Sequence, residues 1–292
     1  MMLGEIKEGR GGLYTVRDDQ GQEHVLRAKK KFRRDSITPL PGDRVHFTPR
    51  PGEEHGWLEE ILPRSSLCVR PPVANVRLMV IVLAPEPVPD LLLVDKLLLT
   101  ASLQDIEAVI AVNKSDLGTA CHQQVLNSYA GAGAPVLAVS AYTGLGLEAL
   151  GDAMRGRLSC FAGQSGVGKS ALLSRLMGVE LVSGQISERI GRGRQTTRHT
   201  TLLYRDGLKV MDTPGFSLLD LPRELEPEEV RLHYPEYAPY AADCRFQPCL
   251  HLREPGCAVR EAQRQGLIDP GRTERYSELM DLVKTQWRER YD

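Results

Sequence analysis

The chain is 292 residues long, 41% hydrophobic and 26% charged, with a formal net charge of -1. That length leaves room for two or three domains, and the composition suits a soluble globular protein. The near-neutral balance excludes a generally basic nucleic-acid binder, and apolar stretches that are strand-length or broken by charge, as where 91–94 stops at Asp95, exclude an expected membrane span.

The opening Met1-Met2-Leu3-Gly4-Glu5 lacks a basic segment followed by an apolar one, so export is not expected. Residues 1 to about 65 read as short strands separated by turns. Leu13-Tyr14-Thr15-Val16 leads into the hairpin turn Asp18-Asp19-Gln20-Gly21, and Pro41-Gly42-Asp43 introduces Arg44-Val45-His46-Phe47. This spacing predicts a small β-barrel. The basic run 29–34 falls between two of its strands, yet residues 1–65 hold 12 Lys and Arg against 11 Asp and Glu. The barrel is therefore not basic as a whole.

From Val76 the pattern changes to alternating strands and helices, which predicts a mainly parallel sheet covered on both faces. Strands are expected at 76–83, 106–112 and 135–139, and helices at 90–103, capped by Asp90, at 148–154 and at 171–177. Residues 202–204 and 208–211 flank Asp206-Gly207 as an antiparallel edge hairpin.

Three motifs follow strands, where open α/β sheets bind ligands. Asn113-Lys114-Ser115-Asp116 comes first. The Asp116 carboxylate matches guanine N1–H and its exocyclic amine, a pair that adenine does not offer, and Asn113 and Lys114 are expected to brace the loop. Ser140-Ala141 ends the next strand, where a backbone N–H is available to guanine O6. Gly163-Gln164-Ser165-Gly166-Val167-Gly168-Lys169-Ser170 is a phosphate-binding loop. Its glycines let backbone N–H groups turn inward, Lys169 reaches the β- and γ-phosphates, and the Ser170 hydroxyl ligates Mg²⁺. In Asp212-Thr213-Pro214-Gly215, Asp212 is expected to hold Mg²⁺ through water and the Gly215 N–H to sense the γ-phosphate. The guanine motif precedes the phosphate loop, the reverse of the ordinary GTPase order. The core is therefore expected to be a circularly permuted α/β P-loop GTPase domain. Phe216 stands where Ras-like GTPases carry a water-orienting glutamine, and a hydrocarbon ring cannot polarise water. Residues 188–205 contain Arg189, Arg192, Arg194, Arg198 and Arg205 with Thr196, Thr197, Thr200 and Thr201, a segment suited to phosphate or RNA contacts. Thr197 is preferred over Thr196 as a Mg²⁺ ligand.

After Pro222 the texture changes again. Cys244-x₄-Cys249-x-His251-x₅-Cys257 offers three thiolates and one imidazole, a closed ligand set for one structural Zn²⁺. Few large apolar residues surround it, so a metal staple is physically useful. Cys68, Cys121 and Cys160 read as core or incidental residues, and the chain ends in an expected helix over 273–290.

In this order the motifs resemble, over essentially the whole chain, the circularly permuted ribosome-assembly GTPases of the RsgA family, also called YjeQ or YloQ. The resemblance implies an N-terminal OB-fold β-barrel at 1–67 that contacts the ribosome and its RNA. It implies a permuted GTPase domain at 68–222 and a small zinc-binding domain with a C-terminal helix at 223–292. It also implies a cytoplasmic, monomeric enzyme with GTP or GDP and Mg²⁺, whose partner is the small ribosomal subunit and its rRNA late in maturation. Tyr14, Phe32 and Trp57 are then candidates for stacking on bases. Relatives carry a histidine before the paired threonines of the switch segment, proposed to replace the missing glutamine. This chain carries Gln195 there, with His199 nearby. Lys169, Gln195, Thr197 and His199 are the catalytic candidates. The competing classes are a P-loop ATPase or nucleoside kinase, against which Asp116 argues, and an RNA-binding factor that uses nucleotide only as a structural ligand.

Overall fold

Inward-facing residues alternate along five strands: β1 (Met2–Arg10), β2 (Leu13–Asp18), β3 (Glu23–Ala28), β4 (Arg44–Thr48) and β5 (Gly56–Ile61). Ile6, Val16, Leu26, Val45, Phe47 and Leu58 are all fully buried, and the strands close into a barrel in the order β1-β2-β3-β5-β4. The β3–β5 pairing is parallel and the other pairings are antiparallel, as in an OB-fold. The structure is a computed structural model that describes residues 1–34, 37–50, 52–68, 72–179, 200–212, 221–222 and 224–290, without the side chains of Arg33 and Asp212. The expected turn forms: Asp18 Oδ1 accepts the N–H groups of Gln20 and Gln22 at 3.0 and 2.8 Å, and Gly21 takes φ 84°.

One stacking candidate is overturned. Part of the basic run forms the short helix α1 (Lys30–Arg34), and its Phe32 is 5% exposed in the barrel core. A ring used as a core plug has no face left for a base. Tyr14 packs partly buried against that core, and the half-buried Trp57 lies edge-on to His55, centroids 6.0 Å apart.

A two-stranded ribbon, β6 (Leu67–Cys68) with β7 (Val73–Ala74), leads into a six-stranded sheet. Its strands are β8 (Leu78–Leu83), β9 (Glu107–Val112), β10 (Val136–Ala138), β11 (Leu158–Ala162), β12 (Thr201–Arg205) and β13 (Leu208–Asp212). Their order is β10-β9-β8-β11-β13-β12, parallel except for the edge strand β12. All six residues of β8 are buried because both faces are covered: Met79, Ile81 and Leu83 join one apolar cluster, and Leu78, Val80 and Val82 the other. Helices α2 (Leu91–Leu103), α3 (Ala120–Ser128), α4 (Leu147–Met154) and α5 (Lys169–Met177) supply the covers. Of these, α3 gave no clear periodic signal. Asp90 caps α2 as expected, its Oδ1 accepting Leu93 N–H at 2.9 Å. The chain winds outward from β8 to β10, then returns to β11 on the other side of β8. That reversal opens a crevice at the carboxyl ends of the strands.

The C-terminal part contains α6 (Pro227–Val230), α7 (Ala238–Ala241), α8 (Ala258–Arg264) and the long helix α9 (Pro270–Glu289). The expectation of an apolar-poor segment needs correction. Tyr234, Tyr237, Tyr276, Leu279, Met280 and Val283 form a buried core around the cysteines, and Leu99 of α2 belongs to the same cluster. Aromatic rings supply the area that aliphatic residues lack. No described helix is long and apolar enough to cross a membrane.

The barrel rests on the sheet's antiparallel edge. Glu5 Oε2 accepts from Tyr204 Oη at 3.0 Å and Lys209 Nζ at 3.1 Å, and Glu8 Oε2 accepts from Thr201 Oγ1 at 3.0 Å. Gly42 closes the junction at φ 88°, where an added Cβ would lie 2.1 Å from Ala74 O and 2.9 Å from Leu158 Cδ2. Gly42→Ala is therefore expected to destabilise the protein by about 2–4 kcal/mol, combining left-handed strain with overpacking. Urea unfolding checks it, and an unchanged midpoint would contradict this reading of the junction.

Candidate nucleotide site and metal centre

The two main motifs leave strands on either side of β8 and meet above it. After β11 the chain turns through Gly163 (φ 130°), Gly166 (φ 83°) and Gly168 (φ 93°) before α5 begins at Lys169. Two of these glycines are needed for space. A Cβ at Gly163 would lie 2.2 Å from Val82 O, and one at Gly168 would lie 2.3 Å from Asn113 Nδ2. Ser165 and Gly166 are exposed at the loop's tip and Val167 is buried beneath it. Lys169 Nζ turns into the loop and donates to Gly163 O at 2.8 Å and to Gln164 O. Burial lowers its pKa below the ordinary lysine range. Ser170 lies in the first turn of α5, whose N-terminal end faces the same crevice.

Asn113, 2% exposed, ties the site together. Its Nδ2 donates to Val167 O at 2.9 Å, and its Oδ1 accepts Ala141 N–H at 3.1 Å. Lys114, at φ 60°, donates through Nζ to Glu86 O at 2.7 Å and to Gly166 O at 3.2 Å. Ser115 Oγ donates to Val112 O at 2.7 Å, which fixes the turn. Asp116 is exposed, with Oδ1 accepting the hydroxyl of the fully buried Ser140. The Ser140 N–H is committed to Leu145 O at 2.9 Å, so a guanine O6 would share the Ala141 N–H with Asn113. The bracing role expected of Asn113 and Lys114 is thus visible as hydrogen bonds from the guanine motif to the phosphate loop.

Gln164 holds a role that sequence reasoning missed. Its side chain turns away from the crevice to the start of α2: Oε1 accepts Asp90 N–H at 2.9 Å and Nε2 donates to Val88 O at 3.1 Å. Nothing local in the loop sequence signals this, because both partners lie more than seventy residues away. Asp212 ends β13, the strand beside β11, which brings its backbone to the same end of the sheet. Gln195, Thr196, Thr197, His199, Gly215 and Phe216 lie outside the described residues, as do Arg189, Arg192, Arg194 and Arg198. Thr200 and Thr201 are described, and Thr201 is engaged by Glu8 of the barrel.

In the C-terminal part Cys244, Cys249, His251 and Cys257 are all buried, with ligand atoms within 4.8 Å of one another. Cys244 Sγ lies 3.6 Å from His251 Nδ1 and 3.9 Å from Cys257 Sγ, and His251 Nδ1 lies 3.4 Å from Cys257 Sγ. Four ligands at about 2.3 Å from a tetrahedral zinc stand about 3.8 Å apart, close to these three separations, so the set fits one structural Zn²⁺. Burial pushes the Cys249 thiol up to about 12, a direction that a bound cation would oppose.

The sequence matches the profile of the RsgA GTPase family over residues 61–222 and that of the RsgA N-terminal domain over residues 3–58. It is 43% identical to the small ribosomal subunit biogenesis GTPase RsgA of Ruminiclostridium cellulolyticum, covering 97% of this chain and 94% of that one. It is 44% identical to the protein of the same name from Moorella thermoacetica, covering 99% of each. Among solved structures, YjeQ from Thermotoga maritima superposes with a TM-score of 0.84 at 32% identity, covering 97% of this chain and 98% of that one. YloQ, described as a circularly permuted GTPase, superposes at 0.82 with 30% identity, covering 98% and 96%.

Proposed function

The chain belongs to the RsgA GTPase family, and on that premise we propose that it hydrolyses GTP on the maturing small ribosomal subunit, in the cytoplasm, and uses the reaction to release itself. The barrel, residues 1–67, and the zinc domain, residues 223–292, contact the subunit and its rRNA, and residues 68–222 carry the chemistry. The observation that carries this reading is Asn113, which clasps Val167 of the phosphate loop and Ala141 of the base loop at once. A guanine-reading segment is thereby fixed to a phosphate-reading one.

The residues divide the work by chemistry. Asp116 pairs with the guanine edge while Ser140 holds its other oxygen, and Lys114 bridges to Gly166. Residues 163–168 turn backbone N–H groups toward the phosphates, and Lys169 neutralises charge that grows on them during transfer. Ser170, Asp212 and Thr197 are the hydroxyl and carboxylate residues that would hold Mg²⁺. Gly215 senses the γ-phosphate. Gln195 or His199 orients the attacking water, since Phe216 cannot.

Asp116→Asn is expected to lower GTP affinity on the order of 10²-fold, as a charge-assisted pair of hydrogen bonds is lost. ATP affinity should change only a few-fold. Titration with fluorescent nucleotides checks this, and equal losses for both would contradict the assigned role. The wider reading is tested by sedimentation with purified small subunits. Binding with a non-hydrolysable GTP analogue is expected to be about 100-fold tighter than with GDP, a differential of about 2.7 kcal/mol. Equal affinities would defeat GTP-driven release.

A further inference from the structure

One helix, α2, joins the phosphate loop to the C-terminal domain, and hydrogen bonds and ion pairs mark both ends of that path. At its start, the Gln164 side chain holds Asp90 N–H and Val88 O, and Asp90 caps α2. Within the helix, Asp95 is 1% exposed. Its carboxylate accepts from Arg275 Nε at 2.7 Å and from Tyr129 Oη at 2.6 Å, and Arg272 Nη1 lies 2.7 Å from it without hydrogen-bond alignment. Arg272, also buried, donates through Nε to Glu236 at 2.6 Å and lies 4.3 Å from the Tyr234 ring centroid. Near the end of α2, Ser102 Oγ meets His233 Nδ1 at 2.8 Å. Arg272, Arg275, Glu236 and His233 all belong to the C-terminal domain.

Two physical features make this joint suited to movement. The charges of buried Asp95, Glu236 and Arg272 and of the part-buried Arg275 cancel, and a buried ion pair adds little net stability over an apolar replacement. Among the described residues, the buried side-chain polar atoms without a hydrogen-bond partner are Arg231 Nε, Tyr234 Oη, Glu236 Oε2, Tyr237 Oη, Arg272 Nη1 and Arg275 Nη2. All six sit in the C-terminal domain. A buried polar group left unpaired opposes the arrangement that leaves it so. Of the six, Arg272 Nη1, Arg275 Nη2 and Glu236 Oε2 belong to residues of the joint itself, so other pairings are open to those groups when the domain shifts.

The far end of the path reaches the reacting centre. The main-chain carbonyl of Gln164, whose side chain grips α2, is one of the two oxygens that hold Lys169 Nζ. Resting on the GTPase reading above, we propose that α2 transmits docking of the C-terminal domain to Lys169, with Arg275 and Asp95 as positioning residues at one end and the Gln164 side chain at the other. Contact with the ribosomal subunit moves the C-terminal domain on α2. The shift reaches Asp90, then Gln164, and resets the carbonyl that governs where the ammonium sits.

The experiment is steady-state GTP turnover by the full chain, with and without saturating small subunits. Arg275→Ala should leave basal kcat and KM within about twofold and lower stimulated kcat at least tenfold, with Arg275→Lys recovering part of the loss. Should Arg275→Ala prove unfolded, Ser102→Ala at the exposed joint and the pair Gln164→Ala and Gln164→Glu carry the test. Ser102→Ala should lower stimulated kcat about threefold. Gln164→Glu keeps an acceptor for Asp90 N–H and should retain more stimulation than Gln164→Ala. Combining Arg275→Ala with Gln164→Ala should lower stimulation no further than Gln164→Ala alone, since both cut one path. Full stimulation in folded Arg275→Ala, or multiplicative losses in the combined variant, would overturn the inference while leaving the proposed function standing. A wild-type protein unstimulated by subunits would overturn both.

Discussion

Lys169→Ala is expected to reduce GTP hydrolysis on the order of 10³-fold, the upper range for removing one pre-organised electrostatic group from a transition state. The side chain is already inside the loop, with Nζ 2.8 Å from Gly163 O and bonded to Gln164 O. On the proposed function its charge would act where phosphate charge develops, without first being recruited from solvent. Partial burial, which lowers its pKa, also weakens competition from water for the ammonium. Because the group reads phosphate and not base, GTP, GDP and ATP should all bind more weakly, unlike the base-selective change expected of Asp116→Asn. Lys169→Arg should not restore activity, because a planar fork cannot replace a compact ammonium between two carbonyls. Single-turnover hydrolysis under saturating enzyme measures the effect, and a loss below tenfold would remove Lys169 from the catalytic group.

Loss of the metal centre should be the largest structural perturbation. Structural zinc sites bind with apparent free energies of about 10–16 kcal/mol, far more than the stability of a small domain. Cys249→Ala is expected to release zinc, detected by elemental analysis of freshly purified protein, and to abolish cooperative unfolding of the C-terminal domain. The fold extends that expectation. Leu99 of α2 shares the apolar cluster that surrounds Cys244, Cys249 and Cys257, and Asp95 is paired with Arg272 and Arg275 of α9. Damage should therefore spread to α2, visible as faster amide exchange over 91–103, while the guanine motif on β9 stays protected. Retention of native unfolding without zinc would show that the aromatic core alone suffices.

Most of the candidate nucleotide site is legible in the sequence because its demands are local. A loop that wraps phosphate needs glycines at fixed offsets, and a carboxylate two residues after Lys114 needs only a strand to end before it. The same holds for the Asp90 cap, the Asp18 turn and the continuous apolar run of β8, each set by neighbours in sequence. The spacing of Cys244, Cys249, His251 and Cys257 belongs to this class too, and the four side chains do converge.

Other features were settled by partners that no local pattern names. Phe32 sits in a basic run and reads as a ring free to stack on a base, and only closure of the barrel shows it to be core. Gln164 is one more polar residue in a phosphate loop until α2 is packed beside it, 74 residues distant in sequence. Asp95 reads as a charge that interrupts an apolar run. Its partner Arg275 is 180 residues away, and burying that carboxylate is tolerable only because two guanidiniums arrive with it. Glu5 is held against Lys209 from 204 residues away for the same reason. The sequence by itself determined which chemistry the chain carries, because backbone turns and ligand spacings are satisfied within a few residues. Only the tertiary structure decided how that chemistry is connected to the outer domains, because a buried charge takes its meaning from whichever distant residue packing brings to meet it.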